Sequence, residues 1–206
     1  MLTREVFIGL ISVLFGYFFG GIPWGIVVAR VTGGPDPRTV GSGRTGGANV
    51  ARALGARAAI ATGLLDASKG AVAVLVAILL GGDVLVQGLA GLAAVLGHSR
   101  SPYIAFGGGR GVAPAMGALL VLQPLVAMLA LAVYGLFFAA TRYSSLGSLM
   151  GSLTAGVATV ILTLAVPLPP AHLVYAIAGP AMIWFFHRDN IQRLLSGEER
   201  RLELRR

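Results

Sequence analysis

The chain has 206 residues, is 56% hydrophobic and 12% charged, and carries 30 glycines, with a mean hydropathy of +0.82. That balance excludes an ordinary soluble domain and indicates a polytopic membrane protein. The net charge of +8 is not interleaved with aromatic residues, so no nucleic acid is expected, and the absence of cysteine removes disulfides and thiolate metal sites.

Val6 to Val28 is an apolar run of 23 residues, about 34 Å as a helix and long enough to span a bilayer. No small-residue cleavage site follows a short apolar core, so an anchor helix is expected. Gly16, Gly20, Gly21 and Gly25 give Gly-x-x-x-Gly spacings suited to close helix packing, and Gly21-Ile22-Pro23 marks a kink.

Residues 30–57 form the first polar loop, with Arg30, Arg38, Arg44, Arg52 and Arg57 against the single acid Asp36. Its centre, Gly41-Ser42-Gly43-Arg44-Thr45-Gly46-Gly47-Ala48-Asn49-Val50-Ala51-Arg52, combines glycine backbone free to turn its N–H groups inward with permanently charged guanidinium forks. Two readings are open: a phosphate cradle at a membrane surface, or a flexible loop whose arginines touch lipid headgroups. Asn49 is the expected N-cap of a short helix running through Arg52.

Ala58–Leu80 is the second expected span. It carries Asp66 and Lys69, three residues apart on one helix face. They form either a self-neutralising structural pair or the deep end of a polar pocket. Val84–His98 is a third, shorter span. A second glycine-rich basic loop follows, residues 98–111, ending Gly107-Gly108-Gly109-Arg110-Gly111. His98 reads as a buried helix end or as a catalytic group. Val112–Leu122 and Pro124–Thr141 are a short span and a returning one, with a re-entrant hairpin as the alternative. Residues 142–148 form a polar cluster containing Ser145 and Ser148. Leu146–Val166 and Ala171–Phe186 are the sixth and seventh spans, joined by Pro167-Leu168-Pro169-Pro170. In the tail, residues 187–206, His187, Asn190 and Arg193 follow one another at one-turn spacing, while Ile191, Leu194 and Leu195 make an interfacial apolar face.

Charge orients these spans. Apart from Arg4 and Lys69, every basic residue falls on one side, and the opposite turns carry none. The positive-inside rule makes that side cytoplasmic, the N-terminus external and the C-terminus internal. Loops 30–57, 98–111 and 142–148 and the tail then converge on the cytoplasmic surface of a single transmembrane domain. No hydrolase elbow, Walker loop, carboxylate pair or His/Cys metal set is present, so no cofactor or metal is expected. What remains favours transfer on a phosphorylated lipid precursor by positioning and charge stabilisation. The alternative is a small transporter or channel for an organic phosphate, against which the short, uncharged outer turns count.

In order along the chain, Gly-Ser-Gly-x-x-Gly-x-x-Asn-Val-x-Arg, Leu-Asp-x-x-Lys-Gly at 65–70, Gly-His before Phe-x-Gly-Gly-x-Gly-Val-Ala, Arg-x-x-Ser-Leu at 142–146 and His-Arg-x-Asn-Ile-x-Arg-Leu resemble the bacterial acyl-phosphate:glycerol-3-phosphate acyltransferase family. The resemblance covers nearly the whole chain. It implies an all-α, seven-helix enzyme of the bacterial inner membrane, active toward the cytoplasm and expected to be a monomer. It implies acyl transfer from acyl phosphate to position 1 of glycerol 3-phosphate, giving lysophosphatidic acid. By resemblance, Ser42, Gly43, Gly46, Asn49 and Arg52 bind substrate. Gly108, Gly109 and Gly111 form the second loop's phosphate site, and Ser145, His187 and Asn190 are polar active-site residues. Arg44, Thr45, Lys69 and Arg110 join the candidate binding set from their own positions. The chain departs from the family pattern at Arg44-Thr45, at Gly107 and Arg110, where lysines are usual, and at Ser99-Arg100-Ser101. Arg44 and Arg100 are the residues available to restore the charge missing at Gly107.

Overall fold

The computed structural model describes residues 3–202. The part of the tail beyond residue 202 lies outside the described residues. The fold is all-helical, with no strand among the described residues. Its helices are α1 (Arg4–Gly21), α2 (Trp24–Val31), α3 (Gly47–Leu54), α4 (Ala56–Leu79), α5 (Val84–Ser99), α6 (Val112–Leu122), α7 (Pro124–Thr141), α8 (Ser144–Ala165), α9 (His172–Phe186) and α10 (Arg188–Leu195).

Four segments are long and apolar enough to cross a membrane: α1 with α2, α4, α7 and α8. The remaining expected spans are helices at the expected places, and each is shorter than the hydrocarbon core is thick. α5, α6 and α9 have 16, 11 and 15 residues, about 24, 16 and 22 Å against a hydrocarbon core of about 30 Å. Large apolar side chains are exposed along the outside, with Leu79 at 84%, Leu125 at 79% and Leu164 at 77%. In water such a belt would drive aggregation; in lipid it is the solvated surface.

The first span is not one helix. Pro23 has no N–H to continue α1, and the chain breaks at Ile22-Pro23 before α2. The Gly21 carbonyl freed by the break accepts the Ser101 hydroxyl at 2.6 Å, which ties the end of α1 to the loop after α5. Tyr17 Oη donates to the Arg100 carbonyl at 3.0 Å and strengthens the same junction.

Between helices the contacts are backbone to backbone. A Cβ on Gly20 would overlap Ala94 of α5, one on Gly97 the Tyr17 carbonyl, and one on Gly70 of α4 the Pro114 carbonyl of α6. Gly117 of α6 likewise has no room beside Ala67. Alanine fills the space between such contacts, with Ala73, Ala77, Ala90 and Ala94 fully buried as one cluster. A second cluster, built on Val74, Leu92, Leu119, Val126 and Tyr175, joins α4, α5, α6, α7 and α9. Small residues are what let helices associate where lipid is as apolar as leucine.

This packing makes a contrast that can be measured. Gly70→Ala forces α4 and α6 apart and is expected to destabilise the detergent-solubilised protein by about 2 kcal/mol. Gly135, inside α7, has nothing within 4 Å of an added Cβ, and Gly135→Ala is expected to be neutral or mildly stabilising. Equal unfolding temperatures for the two variants would contradict the packing described.

Candidate functional site

Loop 30–57 is built around one side chain. Asn49 lies inside α3, whose N-cap is Gly46, so it is not the N-cap that its position suggests. Its Nδ2 instead donates to the carbonyls of Pro37, Val40 and Arg44 at 2.6, 3.0 and 2.8 Å, while its Oδ1 accepts the Ser42 N–H at 3.0 Å. The loop therefore wraps its backbone about an amide. Gly41 and Gly43 adopt φ of +57° and +67°, the left-handed region that glycine enters without strain. Asp36 holds Arg38 in a two-toothed ion pair, 2.6 Å at its shortest.

The second loop lies against the last turn of α5. Ser101 N–H donates to the Gly107 carbonyl and Phe106 N–H to the Ser101 carbonyl, at 2.8 and 2.9 Å, closing a small ring of chain. Ala105 and Phe106 sit at φ of +52° and +56° to close it, a strained backbone for residues with a Cβ. Gly109 N–H donates to the His98 carbonyl at 3.1 Å. The two loops abut, since a Cβ on Gly46 would meet the Gly109 Cα at 3.9 Å.

The third element is the tail. α10 ends at Leu195, Gly197 with a φ of +74° then reverses the chain, and the Glu198 N–H returns to the Arg193 carbonyl at 2.8 Å. The turn delivers Glu199 inward. Its carboxylate accepts Ser145 Oγ at 2.8 Å, Asn190 Nδ2 at 2.7 Å and Arg193 Nε at 2.9 Å. The stretch of tail beyond is held by Leu202, buried, whose N–H donates to the Arg142 carbonyl at 2.9 Å. Arg52 reaches the same tail through the Arg200 carbonyl at 3.3 Å.

These parts enclose one cavity of about 540 Å³. Ser42, Arg44, Gly46, Asn49, Arg52, Gly109, Arg110, Gly111, Ser145, His187 and Asn190 all line it. Gly43, Thr45, Gly108 and Lys69 do not. Gly43 shapes the turn by donating to the Val40 carbonyl at 3.0 Å, and Thr45 is buried beneath α2 beside Gly25. Gly108 is pressed on the His98 carbonyl, and Lys69 is buried against Asp66 at 2.7 Å. Of the two charge-restoring candidates, Arg44 is in the cavity wall, whereas Arg100 lies over the Phe186 ring, 5.8 Å from its centroid. Asp66, His98, Arg193 and Glu199 also reach the wall, together with Ser144, Ser148 and Ser152 of α8, and its apolar part comes from α4, α6, α7, α8 and α9, including Ile60, Leu119, Leu131, Phe138, Ala155 and Ile183.

Some polar atoms in this wall have no protein partner among the described residues: Ser42 Oγ, Arg110 Nε and Asn190 Oδ1. The first two are donors suited to an anion, and the third is an acceptor suited to a hydroxyl. Arg110 is steered by Asp189 of α10 at 2.6 Å. Burial raises the Asp189 carboxyl, but the Arg110 and Arg193 guanidiniums outweigh it and hold it below its ordinary value.

His187, between α9 and α10, has its Nδ1 2.8 Å from the Ile183 carbonyl. A carbonyl only accepts, so Nδ1 carries the proton and Nε2 is the acceptor. Burial, opposed by the bond to Ile183, pushes its pKa down to about 4. The ring is therefore neutral at pH 7. Sequence reasoning singled out His187 and Asn190 but missed Glu199 and Asp189. The signal for Glu199 was Gly197, a glycine placed to end α10 and turn an acid back on it.

Comparison with known proteins adds identity to this geometry. The family model described as glycerol-3-phosphate acyltransferase matches residues 10–197. Glycerol-3-phosphate acyltransferase of Anaeromyxobacter sp. (strain Fw109-5) is 42% identical over 205 residues, covering 97% of this chain and 99% of that one. A Thermus thermophilus protein of the same name is 42% identical over 192 residues, covering 93% and 94%. A crystal structure of PlsY (YgiH), described as an integral membrane glycerol 3-phosphate acyltransferase in its glycerol 3-phosphate form, superposes with a TM-score of 0.86 at 39% identity, over 95% of this chain and 96% of that one. A lysophosphatidic acid form of PlsY superposes at 0.84 and 38% identity, over 94% of each chain.

The buried, neutral His187 gives a pH signature. Its folded pKa of about 4 lies below the ordinary 6.5, so the unfolded chain binds the extra proton between those values. The His187 contribution to stability is full above pH 6.5 and is lost as pH drops toward 4, about 3 kcal/mol from this group. Urea or thermal unfolding in detergent across this window should show that fall, and His187→Gln should lose this component. An identical pH slope in the variant would contradict it.

Proposed function

This chain belongs to the glycerol-3-phosphate acyltransferase family, and we propose that it moves a fatty acyl group from an acyl phosphate to the sn-1 hydroxyl of glycerol 3-phosphate. The observation that carries the reading is a single cavity with arginines and glycine backbone at one part of its wall and apolar side chains of five helices at the other. An acyl chain fits the apolar part. Two glycine loops, one bearing Arg44 and Arg52 and the other Arg110, supply two anion-binding elements for two phosphate-bearing substrates. The ligand forms in which the similar crystal structures are described, glycerol 3-phosphate and lysophosphatidic acid, agree with this acceptor and product.

The step is direct. The hydroxyl oxygen attacks the acyl carbon, the bond from that carbon to the phosphate oxygen breaks, and phosphate leaves with the electron pair. The protein's main work is to hold two anions together against their repulsion. Ser145 is a poor nucleophile for a covalent relay, because its hydroxyl is bound to Glu199 and not to a histidine. His187 Nε2 orients the attacking hydroxyl by accepting its hydrogen bond. It is not the final proton carrier: with a pKa of about 4, protonation at pH 7 costs roughly 4 kcal/mol. A phosphate monoester oxygen, whose second pKa is about 6, is the better sink. Asn190 Oδ1 holds a second acceptor hydroxyl.

The charge distribution supports a topology of seven crossings with loops 30–57, 98–111 and 142–148 and the tail in the cytoplasm of a bacterial cell, with the protein in the inner membrane. The short α6 ends at Gln123, which is buried and accepts the Thr159 hydroxyl at 2.8 Å, so the end of this helix is covered by protein where it stops short.

Purified protein in detergent, given palmitoyl phosphate and labelled glycerol 3-phosphate, is expected to form 1-acyl lysophosphatidic acid, and palmitoyl-CoA is expected to be inert. Arg110→Lys should retain more activity than Arg110→Ala, which is expected to lose about tenfold or more. Product formed from the CoA ester alone would overturn the donor assignment.

A further inference from the structure

Behind the second glycine loop stand three ionisable side chains that take no part in the proposed chemistry. Lys69 Nζ and Asp66 Oδ1, both on α4, are 2.7 Å apart, and His98 Nδ1 of α5 is 3.4 Å from each of them. All three are almost fully buried. Charges at this depth in an apolar helix pair are costly, and a similar volume of aliphatic side chain would fill the space without that cost. Packing alone gives no reason for them. Asp66 and His98 reach the cavity wall, while Lys69 lies behind.

On the other side of His98 is the loop. Gly109 N–H donates to the His98 carbonyl at 3.1 Å. A Cβ on Gly109 would overlap the imidazole at Nε2, one on Gly108 would overlap the His98 carbonyl, and one on Gly111 would meet Val95 and Ser99 of the same helix. All three glycines are thus seated on the last turn of α5, and Gly109 rests on the ring itself. One ring nitrogen faces the α4 ion pair and the other faces Gly109. The imidazole thus lies between the α4 ion pair and the backbone of the loop.

We propose that Asp66, Lys69 and His98 are a positioning unit for the second glycine loop: the α4 ion pair fixes the His98 ring, and the ring sets the level at which Gly109, Arg110 and Gly111 meet the phosphate group of a substrate. This rests on the proposed function for the identity of what the loop meets. The unit touches no reacting atom and acts only through the loop. Its loss therefore weakens phosphate binding in ground and transition states alike, which appears in KM and not in kcat.

The test uses the full chain, palmitoyl phosphate and glycerol 3-phosphate, with KM and kcat measured for both substrates. Gly109→Ala introduces the clash and His98→Ala removes the platform; each is expected to raise KM for a phosphate substrate about tenfold. The double variant, in which a methyl takes up part of the space of the ring, is expected to have a lower KM than either single variant. Defects that simply multiply would overturn the proposal. Asp66→Asn combined with Lys69→Met removes the charges as a pair and carries the same test if the single variants fail to fold. It should raise KM with kcat within about threefold of wild type. A fall in rate at unchanged KM, tracking a lower yield of folded protein, would make the cluster a structural element only and end the proposal. If wild-type protein forms no lysophosphatidic acid, the functional reading fails and takes the loop's assignment with it. Active wild type without rescue sinks the positioning unit alone.

Discussion

A helix surrounded by hydrocarbon gains nothing by exchanging lipid for the leucines of a neighbour, so the helices of this chain are held by direct backbone approach. Gly20 against Ala94, Gly97 against Tyr17, Gly70 against Pro114 and Gly117 against Ala67 are the places where a single methyl has no room. Those crossings fix α1 against α5 and α4 against α6, the buried alanines of α4 and α5 join the two pairs, and the site depends on that frame. The second glycine loop is seated on the end of α5, the first is closed by α3 just before α4, and the cavity is the space left where α4 and α6 face α7, α8 and α9. Rigid crossings matter here because the loops themselves contain strained turns, at Ala105 and Phe106 in particular, that only a firm support will maintain.

The same frame must bring many cations close together. Arg44, Arg52, Arg110 and Arg193 approach one cavity, and without counter-charge they would repel one another. Two carboxylates from the tail meet that need. Asp189 aims Arg110, and Glu199 joins Ser145 of α8 to Asn190 and Arg193 of α10. Among the groups that remain, Ser42 Oγ and Arg110 Nε are donors suited to an anion, and Asn190 Oδ1 and His187 Nε2 are acceptors suited to a hydroxyl. Glycerol 3-phosphate offers both.

Helix positions were legible because hydropathy reports the solvent directly, and the apolar runs coincide with the observed helices to within a few residues. Pro23 announced its break, since a missing N–H is a property of the residue alone. The roles of polar residues were less legible. Asn49 was expected to cap a helix and instead organises the loop from within the helix, because three carbonyls fold back on it from earlier in the chain. His98 was weighed as a plain helix end or a catalyst, and the structure puts it between a buried ion pair and a glycine Cα, a relation that needs two helices and a loop in register. Glu199 looked like one acid in a charged tail, and only the reversal at Gly197 brings it to Ser145. Local chemistry is written in sequence; which group answers it across the fold is set by helix packing.

The central claim is that the protein positions two anions for direct attack and forms no acyl-enzyme. Rapid mixing of the enzyme with palmitoyl phosphate in the absence of glycerol 3-phosphate tests it most directly, with released inorganic phosphate as the readout. Direct attack predicts no burst, and phosphate appearing only when glycerol 3-phosphate is added. A burst of about one equivalent per enzyme, with the acyl group bound covalently to the protein, would contradict the account.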